Sequence, residues 1–198
     1  ETANEAELDL IRISPYQDVE IDLEKVFVQL LTDTKYGRET QNKPADLKTF
    51  GQMVATVFRV LSREKLEAYQ YTLATLEELQ NRGARLFILS NAQRIFTQAE
   101  IELTGCATFM EKIYISSDYR IKKPEPEFLL GLMGENQLNP AETVFVGNDL
   151  TSDIAIAQAV GIDGVLLNTF PYSPDEIFAY QEKGWDFTII NDIIELIR

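Results

Sequence analysis

Apolar residues recur at helical spacing in the first third of the chain and gather into short runs after it. Leu23 to Leu31 and Leu47 to Leu61 each place apolar side chains on one stripe, which predicts two amphipathic helices. The polar stretch from Thr32 to Pro44 predicts a loop, and Leu8 to Ile13 fits either a short strand or a helical turn. This first part therefore predicts a small helical region without a convincing buried strand.

From Leu66 onward, helical patterns alternate with short apolar strands. A helix from Leu66 to Leu79 is expected to end at Gly83. The predicted strands are Arg85 to Ser90, Ile113 to Ser116, Val144 to Val146, Val165 to Leu167 and Trp185 to Ile190, and the predicted helices are Ile95 to Leu103, Phe128 to Met133, Leu150 to Val160 and one at the C-terminus. Such alternation is typical of an α/β fold with a doubly wound parallel sheet.

Composition excludes several classes of function. The 198 residues carry 18 Lys and Arg against 32 Asp and Glu, a net charge of −14, which argues against binding nucleic acid or an anionic membrane. The absence of His removes His-based catalysis and His metal sites, and the single Cys106 allows no intrachain disulfide. No apolar run approaches the roughly 18 residues of a membrane span. We therefore expect a cytoplasmic protein that acts on a small molecule.

Polar side chains follow three of the predicted strands. They are Ser90 and Asn91 after the first strand, Lys123 in the loop after the second, and Asn148, Asp149 and Asp153 after the third. The carboxyl ends of parallel strands meet at one edge of a sheet, where ligands of such folds bind. A hydroxyl, an ammonium and a pair of carboxylates at one edge suit a phosphoryl group with Mg²⁺.

Each of these residues also has a structural explanation. Ser90 could be a helix N-cap, and the Lys-Lys-Pro run ending at Pro124 could be a solvated turn. Asp149 could cap the next helix, with Asp153 in its first turn against the macrodipole. The ordered combination of all three segments favours the phosphoryl site.

The same segments resemble the haloacid dehalogenase (HAD) superfamily of hydrolases. Phe87 to Asn91, Lys123-Pro124, and Val144 to Asp149 with Asp153 resemble its second, third and fourth motifs in order. The resemblance covers about residues 64–170, and Leu89 to Thr97 looks like the phosphatase-type members. It implies a Rossmann-like α/β core, residues 64–198, and a helical cap, residues 1–63.

The resemblance implies a Mg²⁺-dependent phosphatase that acts on a small phosphorylated metabolite through an aspartyl phosphate. Ser90 and Asn91 would then bind the phosphoryl group. Lys123, rather than Lys122, would neutralise the phosphate and the nucleophile.

Metal binding is implied for the acidic segment after the third motif strand. Asp149 and Asp153 would hold Mg²⁺, one directly and one through water. The family often has Asp directly after the glycine, where this chain has Asn148, so Asn148 and Asp149 both stay candidates for the metal.

The family's first motif, a strand that ends in Asp-x-Asp-x-Thr, is not found. Asp9, Asp22 and Asp33 all lie in other contexts. We therefore expect the nucleophile upstream of Glu1, in a segment that would also supply the central strand of the sheet. A missing N-terminal segment or a second copy would complete the sheet, and residues 1–198 alone are expected to be inactive.

Four other functions compete with the phosphatase. A non-catalytic pseudo-hydrolase that binds or regulates stays open, as does a dehalogenase-type hydrolase, against which the retained Asp149 and Asp153 pair argues because those enzymes need no metal. A receiver domain is excluded because its acidic pair precedes its lysine, the reverse of the order here. The lack of a Gly-x-Gly-x-x-Gly after any predicted strand argues against a Rossmann dehydrogenase.

Overall fold

The computed structural model describes residues 23–33, 47–169 and 172–198. Its helices are α1 (Leu23–Asp33), α2 (Leu47–Ser62), α3 (Thr72–Asn81), α4 (Arg94–Leu103), α5 (Ser116–Tyr119), α6 (Pro126–Asn136), α7 (Ala155–Val160) and α8 (Pro174–Gln181). Its strands are β1 (Phe87–Ser90), β2 (Lys112–Ile115), β3 (Val144–Gly147), β4 (Asp163–Leu167) and β5 (Thr188–Ile190). The Leu8 to Ile13 segment, and the predicted loop after Asp33, lie outside the described residues.

The first two helices pack closely against each other. A β-carbon at Gly51 would lie 2.9 Å from Cγ2 of Val28, so glycine permits the approach of the two backbones. Val26 and Ala55 are buried between the helices. The pair thus forms a helical layer of its own, as the two apolar stripes predict.

All strands pair in parallel, but they form two sheets. β1 pairs with β2, with Leu89 opposite Tyr114, and β4 lies between β3 and β5. Within the described ranges, β1 and β3 each have a strand on one side only. Val144 and Val146 of β3 are 52% and 38% exposed, which is unusual for a strand in the middle of an α/β domain.

The two sheets share a hydrophobic core. Leu89 of β1 and Tyr114 of β2 pack with Phe128 of α6 and Ile156 of α7, and Phe145 of β3 packs against the same cluster. A second cluster joins Leu150, Ile154, Leu166 and Phe187 around β4. The fold is therefore the predicted doubly wound α/β arrangement with parallel strands, divided between β1 and β3.

Several elements differ from the sequence prediction. The helix predicted from Leu66 begins only at Thr72, and the predicted C-terminal helix is a 3₁₀ turn, Ile193–Ile197. Helix α8 was not predicted, although Ser173 and Glu176 form a capping box at its start. None of the helices in the described part of the chain is long and apolar enough to cross a membrane.

Candidate functional site

Lys123 lies where the carboxyl ends of β1 and β3 come together. Its Nζ donates to the carbonyl oxygen of Leu89, at 3.0 Å, and to Oδ1 of Asp153, at 2.6 Å. The ammonium also lies 5.5 Å from the centre of the Phe145 ring. Only 10% of the Lys123 side chain is exposed. One buried cation therefore links the two sheets at the edge where the sequence predicts a phosphoryl site.

The neighbouring Lys122 is placed quite differently. Among the described residues, its side chain makes no hydrogen bond or ion pair, and only its carbonyl oxygen accepts a bond, from the backbone of Glu125. A solvated lysine of this kind contributes little to a binding site. The two adjacent lysines thus offer a matched pair for experiment.

Ser90 ends β1 directly after Leu89, and it is not a helix N-cap. The N-cap of α4 is Gln93, whose own side chain makes no capping hydrogen bond. Within the described part of the chain, the Ser90 hydroxyl has no hydrogen-bond partner, so it remains available to a ligand. Asn91 is exposed, but its side-chain amide is bonded to the backbone of Lys123.

Asp153 is buried, with 5% of its surface exposed, and both of its oxygens are engaged. Oδ1 pairs with Lys123, and Oδ2 accepts the backbone N–H groups of Asn148, at 2.9 Å, and Asp149, at 3.1 Å. A buried carboxylate needs such partners because burial without them is costly. Asp153 therefore orients Lys123 and the loop after β3 together.

Gly147 makes room for that carboxylate. A β-carbon at position 147 would lie 2.2 Å from Cγ of Asp153, closer than any real contact. The glycine at the end of β3 is thus required by the close approach of Asp153.

Asp149 is the N-cap of the helical turn Leu150–Ile154, as one of its structural explanations predicts. Its Oδ1 accepts the backbone N–H groups of Thr151 and Ser152, at 2.7 and 3.0 Å, and the Thr151 hydroxyl, at 2.7 Å. Burial would raise the pKa of Asp149, but these hydrogen bonds outweigh burial and hold the pKa below its ordinary value. The carboxylate is therefore charged at neutral pH.

The residues present fit Mg²⁺ in chemical kind. Mg²⁺ prefers oxygen ligands and usually keeps several waters beside one or two carboxylates and a phosphate. Among the described residues, every donor to Asp149 reaches Oδ1, which leaves Oδ2 for a cation. No group of three His, Cys, Asp or Glu residues capable of holding a metal occurs in that part of the chain. Asp149 and Asp153, with Asn148 exposed beside them, would thus form only part of a coordination shell.

Two serines that sequence reasoning missed support the loop after β1. Ser116 is fully buried, and its Oγ accepts the N–H of Ala92 and donates to the Ala92 carbonyl oxygen. The Oγ of Ser117 accepts the N–H of Arg94. Both serines directly follow β2, so the segment after β2 holds the loop that follows the neighbouring strand β1. Only their position after a predicted strand could have suggested this function.

Known proteins match the chain over most of its length. The family model of haloacid dehalogenase-like hydrolases matches residues 17–167. A glyceraldehyde 3-phosphate phosphatase of Methanothermobacter thermautotrophicus is 27% identical over 131 residues, which cover 66% of this chain and 58% of the relative. A phosphoglycolate phosphatase of Salmonella typhi is 29% identical over 126 residues, which cover 64% of this chain and 49% of the relative.

Solved structures show the same fold. A 2-haloacid dehalogenase from Pseudomonas syringae pv. Tomato DC3000 superposes with a TM-score of 0.71 and 18% identity, over 98% of this chain and 77% of that one. The present chain spans only about half the length of the curated phosphatases that it matches. The match over residues 17–167, together with the ordered site segments, makes this chain a member of the haloacid dehalogenase-like hydrolases.

Proposed function

We propose that the chain carries the phosphoryl-binding and metal-binding side of a Mg²⁺-dependent phosphatase that acts on a small phosphorylated metabolite in the cytoplasm. The two curated relatives reported above are phosphatases of small phosphorylated compounds, which supports this class of reaction. The acidity of the chain favours a small substrate over nucleic acid.

The position of Lys123 is the observation that carries the proposal. Its buried ammonium lies between the carbonyl oxygen of Leu89 and the carboxylate of Asp153. The next residue of β1 is Ser90, whose hydroxyl has no hydrogen-bond partner among the described residues. A buried cation at the end of this strand is suited to the charged oxygens of a transferring phosphoryl group, because electrostatic interactions are strong in a desolvated site. Lys123 would neutralise the phosphate, and Ser90 would hold one of its oxygens.

The Mg²⁺ would bind at the acidic end of the same edge. Asp149 would offer Oδ2, and Asp153 would contribute directly or through water, while a bound phosphoryl group completes the shell. When bound, Mg²⁺ would polarise the phosphoryl group and offset its charge. Asn148 remains an alternative to Asp149 because both follow Gly147.

The nucleophile would come from outside the described residues. At the site, Asp153 is paired with Lys123, and Asp149 caps a helical turn, so neither carboxylate is placed to attack phosphorus. We propose that a further strand, from a preceding segment or from a second copy, pairs with β1 and β3 and brings the nucleophilic Asp. The single-sided pairing of both strands and the exposure of Val144 and Val146 support this position.

Residues 1–63 would act as a cap that selects the substrate, over a core of residues 64–198. The two alternatives keep the same site but use it differently. A pseudo-hydrolase would bind phosphate without turnover, and a dehalogenase would have no need of Mg²⁺. The structural likeness to a dehalogenase shows the fold alone, so the metal is the property that separates these functions.

A substitution at Asp149 tests the metal site without removing the helix cap. Asparagine caps helices about as well as aspartate but lacks the charge, so Asp149→Asn should preserve stability and weaken Mg²⁺ binding. Calorimetric titration with Mg²⁺ in the presence of inorganic phosphate should show a loss of at least about tenfold in affinity. Asp163→Asn is the matched control, because Asp163 is the first residue of β4 and lies at the amino end of that strand, away from the site. This variant should bind Mg²⁺ as the natural chain does. Equal Mg²⁺ affinity in the natural chain and in Asp149→Asn would show that Asp149 does not bind the metal.

A further inference from the structure

Asn91 is bonded to Lys123 through both ends of its side-chain amide. Its Nδ2 donates to the Lys123 carbonyl oxygen at 3.0 Å, and its Oδ1 accepts the Lys123 N–H at 2.8 Å. The two residues are separated by 32 positions and belong to different loops. The amide therefore satisfies both backbone groups of Lys123, as a neighbouring strand would.

The contact with Asn91 holds the backbone of Lys123, and the ammonium at the other end of the Lys123 side chain is held as well. The Nζ of Lys123 is held by the Leu89 carbonyl and Asp153, but a lysine has four rotatable bonds and reaches many positions from a mobile backbone. With the backbone held by Asn91, the ammonium is restricted to the cleft between β1 and β3. Without it, the loop from residue 120 to residue 126 would lose two hydrogen bonds that tie its backbone to the end of β1.

The same contact limits how Asn91 itself can meet a substrate. Both polar atoms of its side chain are engaged, so a direct bond from the amide to a phosphoryl group would first have to break a bond to Lys123. Only the backbone of Asn91 remains for the ligand. The side chain is thus occupied with the lysine rather than with the substrate.

We infer that Asn91 is a positioning residue that holds Lys123 in the cleft, and that its side chain does not bind substrate. The inference rests on the proposed function only for the role of Lys123, which is to neutralise the phosphate. The hydrogen bonds between Asn91 and Lys123 stand independently of any phosphatase activity.

The reactivity of the Lys123 amine measures this restriction directly. The 198-residue chain is treated with an acetylating N-hydroxysuccinimide ester, and mass spectrometry follows the acylation of each lysine with time. Lys65, which pairs with Glu67 but has 72% of its side chain exposed, is the internal reference for a solvent-accessible amine. Lys123 should react far more slowly than Lys65 in the natural chain, because its ammonium is buried and paired.

The variant Asn91→Ala should increase the acylation rate of Lys123 by about tenfold, the factor that corresponds to about 1.4 kcal/mol. The rate at Lys65 should not change, which separates a local effect from general unfolding. Asn139→Ala is the matched control, because Asn139 also uses its side chain in a loop, accepting the N–H of Ala141. It should leave the rate at Lys123 unaltered.

A second variant keeps the test decisive if Asn91→Ala fails to fold. Asn91→Asp retains the acceptor for the Lys123 N–H but loses the donor to its carbonyl oxygen, so it should increase the Lys123 rate by less than alanine does. Unchanged Lys123 reactivity in the folded variants would overturn the inference. A natural chain that protects Lys123 through Asn91 but binds no inorganic phosphate would uphold the inference while contradicting the proposed function.

Discussion

Gly147 and Asp153 show how a single atom can fix the geometry of the site. The carboxylate of Asp153 fills the space that a β-carbon at position 147 would take, and from there it reaches Lys123 and two backbone N–H groups. The glycine at the end of β3 is therefore determined by one close approach.

Replacing Gly147 with alanine should displace the carboxylate of Asp153 and weaken its pair with Lys123. We expect a loss of about 1–3 kcal/mol in the free energy of unfolding, as for other overpacked positions. Gly131→Ala is the matched control, because its β-carbon would meet open space within α6 and should stabilise the helix by about 0.5–1 kcal/mol. Urea unfolding of both variants measures the contrast, and an unaffected Gly147→Ala would show that Asp153 does not need this space.

Candidate residues for the site could be named from the sequence, but their contacts could not. Lys123 is distinguished from Lys122 by its place before Pro124, a local pattern that the resemblance supplies. The contact of Asn91 with Lys123, by contrast, joins two loops that meet only after folding. No spacing along the chain encodes such a pairing, so the contact could not be predicted from the sequence.

Between elements, Glu100 of α4 holds the second helix of the helical layer. Arg59 of α2 donates two hydrogen bonds to its carboxylate, at 2.8 and 3.0 Å, and Arg63 donates a third. The Arg59 guanidinium also lies 5.1 Å from the centre of the Phe96 ring. Glu100 is 8% exposed, so these ion pairs anchor α2 to the helix that follows the Ser90 loop.

The stability that Glu100 provides should depend on pH. Hydrogen bonds from Arg59 hold its pKa below the ordinary value, burial opposes that shift, and Arg63 adds to it. A carboxyl with a lowered folded-state pKa stabilises fully above its unfolded pKa, about 4.3, and loses that contribution as the pH falls through the folded value.

The substitution Glu100→Gln should therefore cost about 1 kcal/mol at pH 7, a modest value because both arginines are partly exposed. The difference from the natural chain should shrink as the pH falls below about 4. Glu102→Gln, on an exposed position of the same helix, should show little difference at either pH. Unfolding curves measured over this pH range test the prediction. A difference in the free energy of unfolding that persists in acid would mean that the ion pairs are not its cause.

Element boundaries were predictable where a stripe or a glycine marks them. The two apolar stripes of the first part match α1 and α2, and Gly83 and Gly161 adopt positive φ angles just beyond their helices, as predicted for Gly83. Helix α3 begins six residues later than its pattern suggested, so the apolar residues from Leu66 to Tyr69 lie before the helix and not within it. Helix α8 carries its start signal in the Ser173 to Glu176 capping box, which polar composition around it obscured.

At the scale of the whole molecule, the division of the sheet is the dominant feature. The alternation of helices and strands predicted a parallel α/β fold, and the absence of a first-motif strand predicted a sheet without its centre. The parallel strands around one core confirm the first expectation, and the second stays a prediction. Strand pairing itself could not be predicted, because it depends on which strand edges meet in space.

A chain of residues 1–198 should show no hydrolysis of p-nitrophenyl phosphate above background. Lys123, Ser90 and the acidic pair can bind a phosphate and a metal, but neither carboxylate is free to attack, and the chain has no His to activate Ser90. Retained phosphate binding is the control for correct folding. Robust Mg²⁺-dependent turnover by a sample shown by mass spectrometry to contain these residues alone would contradict our assignment of the chemistry.

The most direct test of the account is the binding of inorganic phosphate, with Mg²⁺ present, to two variants at adjacent positions. Lys123→Gln removes the buried charge but retains a donor for Asp153, whereas Lys122→Gln removes the charge at the adjacent position. Calorimetry should show that Lys123→Gln loses about tenfold or more in phosphate affinity, since a charged hydrogen bond contributes about 1.5–3 kcal/mol. Lys122→Gln should bind phosphate as the natural chain does. Equal affinities in the two variants would contradict the placement of the phosphoryl site at the ends of β1 and β3.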